Sequence, residues 1–162
     1  MRTVDMDITL APEGAVVAHQ VNCRNRIGAG VSGAICRRWP GAEQAYHDEF
    51  HGHTPQELFG NLVIFDPGDG RLVAHIFSQP DYGNSKRTGR VYTDEDKLRE
   101  RIQDLLLLEP DRVLYLPHGI GCGLAGGDWT RIKVKLAWAE NAANDALGTP
   151  GRDRIVLCRK PG

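Results

Sequence analysis

The chain has 162 residues, 41% of them hydrophobic, which suffices for one domain with a sizeable core and falls short of two. Lysine and arginine (20) nearly balance aspartate and glutamate (21), so the formal net charge of −1 gives no global attraction to nucleic acid or anionic lipid, and any anion must be recognised locally. No apolar run approaches the roughly 20 residues that cross a bilayer, and Met1 to Leu10 lacks the apolar stretch of a secretory signal, so a soluble, cytoplasmic, monomeric protein without membrane contact is expected.

Val4 to Leu10 alternates weakly, and Ala15 to Val21 (AVVAHQV) reads as a buried strand between Gly14 and Asn22. A glycine-rich stretch, Ile27 to Gly33 (IGAGVSG), follows. From Gly30 to Trp39 the apolar positions Val31, Ala34, Ile35 and Trp39 have helical spacing, which Pro40 stops; a second short helix is predicted over Ala42 to Phe50. Asn61 to Asp66 and Leu72 to Phe77 are β runs joined by Pro67-Gly68-Asp69-Gly70, a hairpin signal. Ser78 to Tyr92 is polar and rich in turn formers and reads as an extended loop, in which Lys86 and Arg87 read as solvated charges. Thr93 is the expected N-cap of a helix running to Leu108, with Asp94, Glu95 and Asp96 in its first turn and Glu109-Pro110 at its end. Arg112 to Leu116 is a short strand, Gly119 to Gly127 (GIGCGLAGG) a second glycine-rich loop, Trp129 to about Ala146 a helix, and Arg154 to Cys158 a last strand. Strands and helices alternate apart from one hairpin, which predicts an α/β/α three-layer fold around a central mixed sheet.

The two glycine loops each follow a strand and open a helix. Glycine lets backbone approach an anion closely, and the helix aims unpaired N–H groups and its positive end at the same point, so two such loops predict a diphosphate held from both sides. Gly28-Ala29-Gly30-Val31-Ser32-Gly33 satisfies G-x-G-x-x-G, but Asn22 to Ile27 separate it from its strand and no acidic residue ends a second strand at the required distance, which argues against a dinucleotide fold. The second loop lacks Lys-Ser/Thr, which excludes a P-loop. The four cysteines (23, 36, 122, 158) are scattered without a zinc or disulfide pattern, and His47, His51 and His53 read as a solvated helix end; no metal and no cofactor is called for.

The ordered blocks Asp7-Ile8, AHQVN (Ala18 to Asn22), GAGVSGAI (Gly28 to Ile35) and IGCGLAGGDW (Ile120 to Trp129) resemble a macrodomain, the ADP-ribose-binding fold, across nearly the whole chain. Within that family the chain looks closest to the branch of the terminal ADP-ribose protein glycohydrolase and the ADP-ribose-1″-phosphate phosphatase. The resemblance implies that Asp7 accepts from the adenine amino group and Ile8 packs near the base. It implies that Gly28, Ala29, Gly30 and Val31 line the diphosphate and distal ribose, and that Gly119, Ile120, Gly121, Cys122, Gly123 and Leu124 close from the opposite side. Read from the residues alone, the alternative for Asp7 is a strand-end turn acid, Asn22 either touches the distal ribose or caps its strand, and His19 is either a satisfied core histidine or the acid–base group that the phosphatase carries there.

The branch's glycohydrolase uses a lysine and an aspartate at positions matched here by Gln79 and Ala125, which cannot form a lysyl intermediate or transfer a proton. A route that relies on positioning remains: an ADP-ribose ester places a good leaving group on an anomeric carbon, and water oriented by the ligand's diphosphate suffices. Asp128 is the nearest carboxylate in sequence to the second loop and either orients that water or caps the following helix. The expectation is an ADP-ribosyl hydrolase that removes mono-ADP-ribose from acidic side chains of modified proteins, with His19 and Asp128 as catalytic candidates and Gln79 among the contacts. The alternatives are a non-catalytic ADP-ribose reader and an ADP-ribose-1″-phosphate phosphatase; a nucleic-acid partner lacks a basic stripe.

Overall fold

The computed structural model describes residues 1–162. Six strands, β1 (Arg2–Asp5), β2 (Ala15–Asn22), β3 (Leu62–Phe65), β4 (Leu72–Gln79), β5 (Val113–Pro117) and β6 (Ile155–Arg159), form one sheet in the order β1-β6-β5-β2-β4-β3. All neighbours are parallel except the β3–β4 hairpin, so the sheet is mixed, with its antiparallel strand at one edge.

Alternate residues of the strands feed two cores. Val16, Ala18, Ala74, Ile76, Leu114 and Leu157 pack under α5 (Glu95–Leu108) and α6 (Trp129–Leu147), while Val17, Val73, Tyr115 and Val156 pack under α1 (Gly30–Arg38) and α2 (Pro40–Asp48). This is the α/β/α sandwich read from the alternation of elements. Two short helices, α3 (Pro55–Leu58) and α4 (Ser85–Thr88), lie in connections, and a 3₁₀ turn covers Ile8–Leu10.

The topology sets the position of the site. β2 and β5 are neighbours, yet the chain leaves β2 toward α1 on one face and β5 toward α6 on the other, so a crevice opens at their carboxyl ends. Both glycine loops start there.

Several boundaries differ from the sequence reading. β1 stops at Asp5, because Asp7 accepts from Thr9 N (2.9 Å) and Thr9 Oγ1 (2.7 Å) and turns the chain into the 3₁₀ segment. Pro40 not only ends α1 but occupies the first turn of α2, where its missing N–H costs nothing. Asp94, not Thr93, caps α5, accepting from Lys97 N (2.8 Å), while Thr93 Oγ1 donates to Gly121 O (2.6 Å). Thr93 is thus drawn away from its predicted role by the second glycine loop. The stretch read as an extended loop gives its first two residues to β4 and contains α4, capped by Asn84.

Candidate functional site

Three contiguous cavities run along the crevice. The first, about 400 Å³, is lined by Asp7, Ile8, Gly30, Val31 and His118 among others. The middle one, about 370 Å³, lies between the two glycine loops and includes Gly30, Val31 and His118 again, with His19, Gly119, Ile120, Gly121 and Gly123. The third, about 420 Å³, shares Gln20, Ala29, Gln79 and Leu124 with the middle one and adds Asn22, Arg26, Gly28, Ser32 and Tyr82. Shared walls make these one cleft that stretches from Asp7 to Asn22.

Each loop reaches its shape through a close approach that only glycine permits. A Cβ at Gly33 would stand 2.3 Å from Gly28 O, and one at Gly127 would stand 2.7 Å from Gly121 O. The first loop therefore folds back onto α1, whose N-terminus has no side-chain cap and leaves its leading N–H groups open to an anion. Val31 and Leu124, 38% and 63% exposed, present apolar surface from opposite walls of the channel.

The second loop is braced from behind. Ser85 N donates to Leu124 O (2.9 Å), and Tyr92 N (2.8 Å) and Thr93 N (3.4 Å) donate to Ala125 O, so the Ser78 to Tyr92 segment is stitched to the loop and contributes Tyr82 and Gly83 to the cleft wall. Beneath them Gln20 Nε2 donates to Gln79 Oε1 (3.1 Å) and Thr93 Oγ1 (2.9 Å), while Ser78 Oγ donates to Gln20 Oε1 (2.7 Å). Gln79, which lines both the middle and the distal cavity, is thus held in place by Gln20 through its side-chain oxygen.

Charge is distributed to suit an anion. Arg26, Arg37, Arg159 and Lys160 line the cleft, against Asp7 as its single carboxylate, although the chain as a whole is slightly acidic. The backbone N–H of Thr9 and then its hydroxyl hold the Asp7 carboxyl below its usual range. Both bonds go to Oδ1, which leaves Oδ2 free at the cleft wall.

The sequence-predicted residues fall into place as follows. Asp7, Ile8, Asn22, Gly28, Ala29, Gly30, Val31, Gln79, Gly119, Ile120, Gly121, Gly123 and Leu124 line the cleft, and His19 lies in the floor of its middle part. Asn22 is largely committed to its own loop, accepting from Arg24 N (3.0 Å) and Tyr46 Oη (3.0 Å) and donating to Arg26 O (2.7 Å). Two residues lie elsewhere. Cys122 lines none of the three cavities and packs toward the core under α6; desolvation, then the Glu95 and Asp128 charges, pushes its thiol up to about 11, so it is not a thiolate at neutral pH. Asp128 is also outside the cleft walls: it caps α6 by accepting from Arg131 N (3.0 Å) and pairs with the Arg131 guanidinium (3.4 Å). Asp128→Ala is expected to cost about 1 kcal/mol of stability and to leave turnover intact, as chemical unfolding and a rate assay on the same preparation would read. Lost turnover at full stability would instead place Asp128 in the reaction.

His19 is fully buried, and a second buried histidine that sequence reading passed over stands beside it. His19 and His75 are register partners on parallel β2 and β4, with His19 Nε2 2.7 Å from His75 Nδ1, His19 Nδ1 2.8 Å from Ser32 Oγ, and His75 Nε2 2.7 Å from Ala42 O. The available signal was the tripeptide Val-Ala-His, which occurs in both strands, at Val17 to His19 and Val73 to His75. Burial lowers His75 to about 4 from its ordinary 6.5, and burial followed by the His75 charge lowers His19 well below that value.

A pH dependence follows. Between the two His75 values the unfolded chain binds the proton that the native state refuses, so stability rises with pH there; it is complete above about 6.5 and is lost as pH falls toward about 4. His75 alone is expected to remove about 2 kcal/mol between pH 7 and pH 5, and His19 adds to the loss in the same direction. Urea unfolding at the two pH values measures it; equal stabilities would mean that the pair is not held neutral.

The comparisons agree with the architecture. No protein-family profile matches the chain. It is 27% identical over 145 residues to a Meyerozyma guilliermondii protein named ADP-ribose 1″-phosphate phosphatase, covering 75% of this chain and 82% of the relative. Among solved structures, the macrodomain of Mycobacterium tuberculosis DarG superposes with a TM-score of 0.71 at 21% identity, covering 100% of this chain and 99% of that one. A Trypanosoma brucei macrodomain in complex with ADP-ribose superposes at 0.67 with 19% identity, covering 98% and 62%. With its mixed six-stranded sheet between helical layers and its cleft between two glycine loops at the β2–β5 crevice, the chain has the macrodomain fold.

Proposed function

We propose that the chain binds ADP-ribose along the cleft, adenine at Asp7 and distal ribose at Asn22 and Gln79, and hydrolyses the substituent on the anomeric C1″, with mono-ADP-ribose esters of acidic side chains as the substrate class. The observation that carries this reading is the unbroken cleft: one end offers a free carboxylate oxygen, the middle offers glycine backbone and an uncapped helix N-terminus, and the far end offers polar side chains around a cavity large enough for a sugar. A diphosphate in the middle satisfies those N–H groups and fixes both ends of the ligand. An acylated anomeric carbon needs little help to ionise, because the departing carboxylate is stable, so the absence of a lysine at position 79 and an aspartate at position 125 is compatible with turnover.

A second reading, removal of a 1″-phosphate, is favoured by the name of the Meyerozyma relative and by Arg26, a cation in the wall at the distal end. The test supplies purified protein with an acceptor mono-ADP-ribosylated on glutamate and, separately, with ADP-ribose-1″-phosphate. Free ADP-ribose above a no-protein control supports the first reading, and inorganic phosphate supports the second. Binding of ADP-ribose without either product would make the protein a reader.

A further inference from the structure

The hydrogen bonds around His19 fix every proton in a four-member chain. Ala42 O only accepts, so His75 Nε2 carries a proton and donates to it; His75 Nδ1 of the neutral ring therefore accepts from His19 Nε2–H, which leaves His19 Nδ1 as an acceptor. The Ser32 hydroxyl must then donate to Nδ1. Ser32 is partly exposed and lines the distal cavity together with Asn22, Gly28 and Gln79. With its hydrogen turned inward, its lone pairs are left for the cleft, and it accepts from whatever hydroxyl or water stands there. A hydroxyl within reach of a neutral imidazole that a third group orients is the arrangement by which proteins draw protons from an oxygen nucleophile.

We propose that Ser32 is the proton acceptor for the attacking water, with His19 and His75 as positioning residues behind it; this rests on the hydrolase reading above. As the water oxygen bonds to C1″, one water proton passes to Ser32 Oγ and the Ser32 hydroxyl proton passes to His19 Nδ1. The bond from C1″ to the ester oxygen breaks with its electron pair going to the departing carboxylate, and His19 returns its proton through Ser32 to solvent when the products leave. The products are ADP-ribose with a 1″-hydroxyl, the free acidic side chain and one proton. Because desolvation keeps His19 neutral before the reaction, Nδ1 is open to receive; the resulting imidazolium is acidic and gives the proton back readily. Neither the Asp128 carboxylate nor the Cys122 thiol, both outside the cleft walls, is needed.

The test compares wild type, Ser32→Ala, Ser32→Thr and His19→Asn for kcat on the glutamate-linked ester, ADP-ribose Kd by calorimetry, and Tm. Expected are a loss of kcat of about 100-fold or more in Ser32→Ala, with Kd within about threefold, and recovery in Ser32→Thr, which keeps the hydroxyl. His19→Asn keeps an acceptor for Ser32 but no basic nitrogen, and is expected to lose kcat as well. Full kcat in Ser32→Ala overturns the proposal while leaving the hydrolase reading standing, and a parallel loss of Kd and kcat in that variant makes Ser32 a binding residue only. Should His19→Asn fail to fold, Ser32→Ala decides alone. A wild type that releases no ADP-ribose fails the hydrolase reading itself and takes this proposal with it.

Discussion

Gly123→Glu is expected to abolish measurable ADP-ribose binding while leaving the fold intact. Gly123 lies in the middle of the cleft, and a Cβ built on it meets no atom within 4 Å, so the larger side chain is accommodated in the free protein. It occupies the space that the proposed diphosphate requires and brings a carboxylate beside it. Two like charges about 4 Å apart repel by about 4 kcal/mol in the partly screened environment near a protein surface, and steric exclusion adds to that. A weakening of at least about 100-fold, corresponding to about 2.7 kcal/mol, is therefore a conservative expectation. Titration calorimetry with ADP-ribose reads the loss, and thermal unfolding is expected to show little change. Unchanged affinity would mean that the diphosphate does not pass between the two loops, and the ligand assignment along the cleft would fall.

The second large effect concerns stability. Arg154, the residue that precedes β6, is fully buried far from the cleft and serves the carboxyl end of α5. That helix has no basic residue in its last turn, and Pro110 has no N–H to return to Leu106 O. Arg154 supplies what is missing: one terminal nitrogen donates to Leu106 O (3.1 Å) and Glu109 O (2.6 Å), and Nε donates to Arg112 O (2.8 Å). Its own backbone N–H donates to the buried Glu140 carboxylate (2.9 Å), which ties α6 to the same point. Arg154→Ala removes the cation from a helix C-terminus, leaves three carbonyls without these partners and opens a cavity, so a loss of about 3–5 kcal/mol is expected. For a chain of this length that lowers Tm by on the order of 10 °C. Arg154→Lys is expected to recover only part of it, since an ammonium cannot reproduce the planar fork. A Tm within a degree or two of wild type for Arg154→Ala would show that solvent reaches those carbonyls.

The stability effect and the binding effect are separable because they arise at opposite ends of the sheet. Arg154 acts at the edge where β5 and β6 begin, whereas the cleft opens where β2 and β5 end. The histidine pair bridges the two concerns. It lies inside the sheet–helix interface and also touches Ser32 in the cleft wall, so acidification is expected to weaken the fold and disturb the site together.

Much of this molecule was legible from residue order. Short apolar runs and period-3.6 runs alternate, turn residues separate them, and glycine clusters mark the two strand-to-helix junctions at which the crevice lies, because each of these depends on local backbone preference or on local burial. What the order of residues could not decide was which side chains meet. Thr93 looked like a helix cap and became a brace for Gly121, because the second glycine loop, distant in sequence, offered its hydroxyl a carbonyl acceptor and Asp94 was free to cap instead. Cys122 sits within the loop yet points to the core, since side chains along a turn need not share a side. His75 lay in an apolar strand, marked only by the Val-Ala-His tripeptide that it shares with His19, and Ser32 was one small residue in a glycine-rich string. Parallel pairing of β2 with β4 in one register, and the docking of α1 over them, brought Ser32, His19 and His75 into hydrogen-bond contact. Local propensity determined the elements and the place of the crevice; register and packing, which depend on contacts across the whole chain, decided which groups face the cleft.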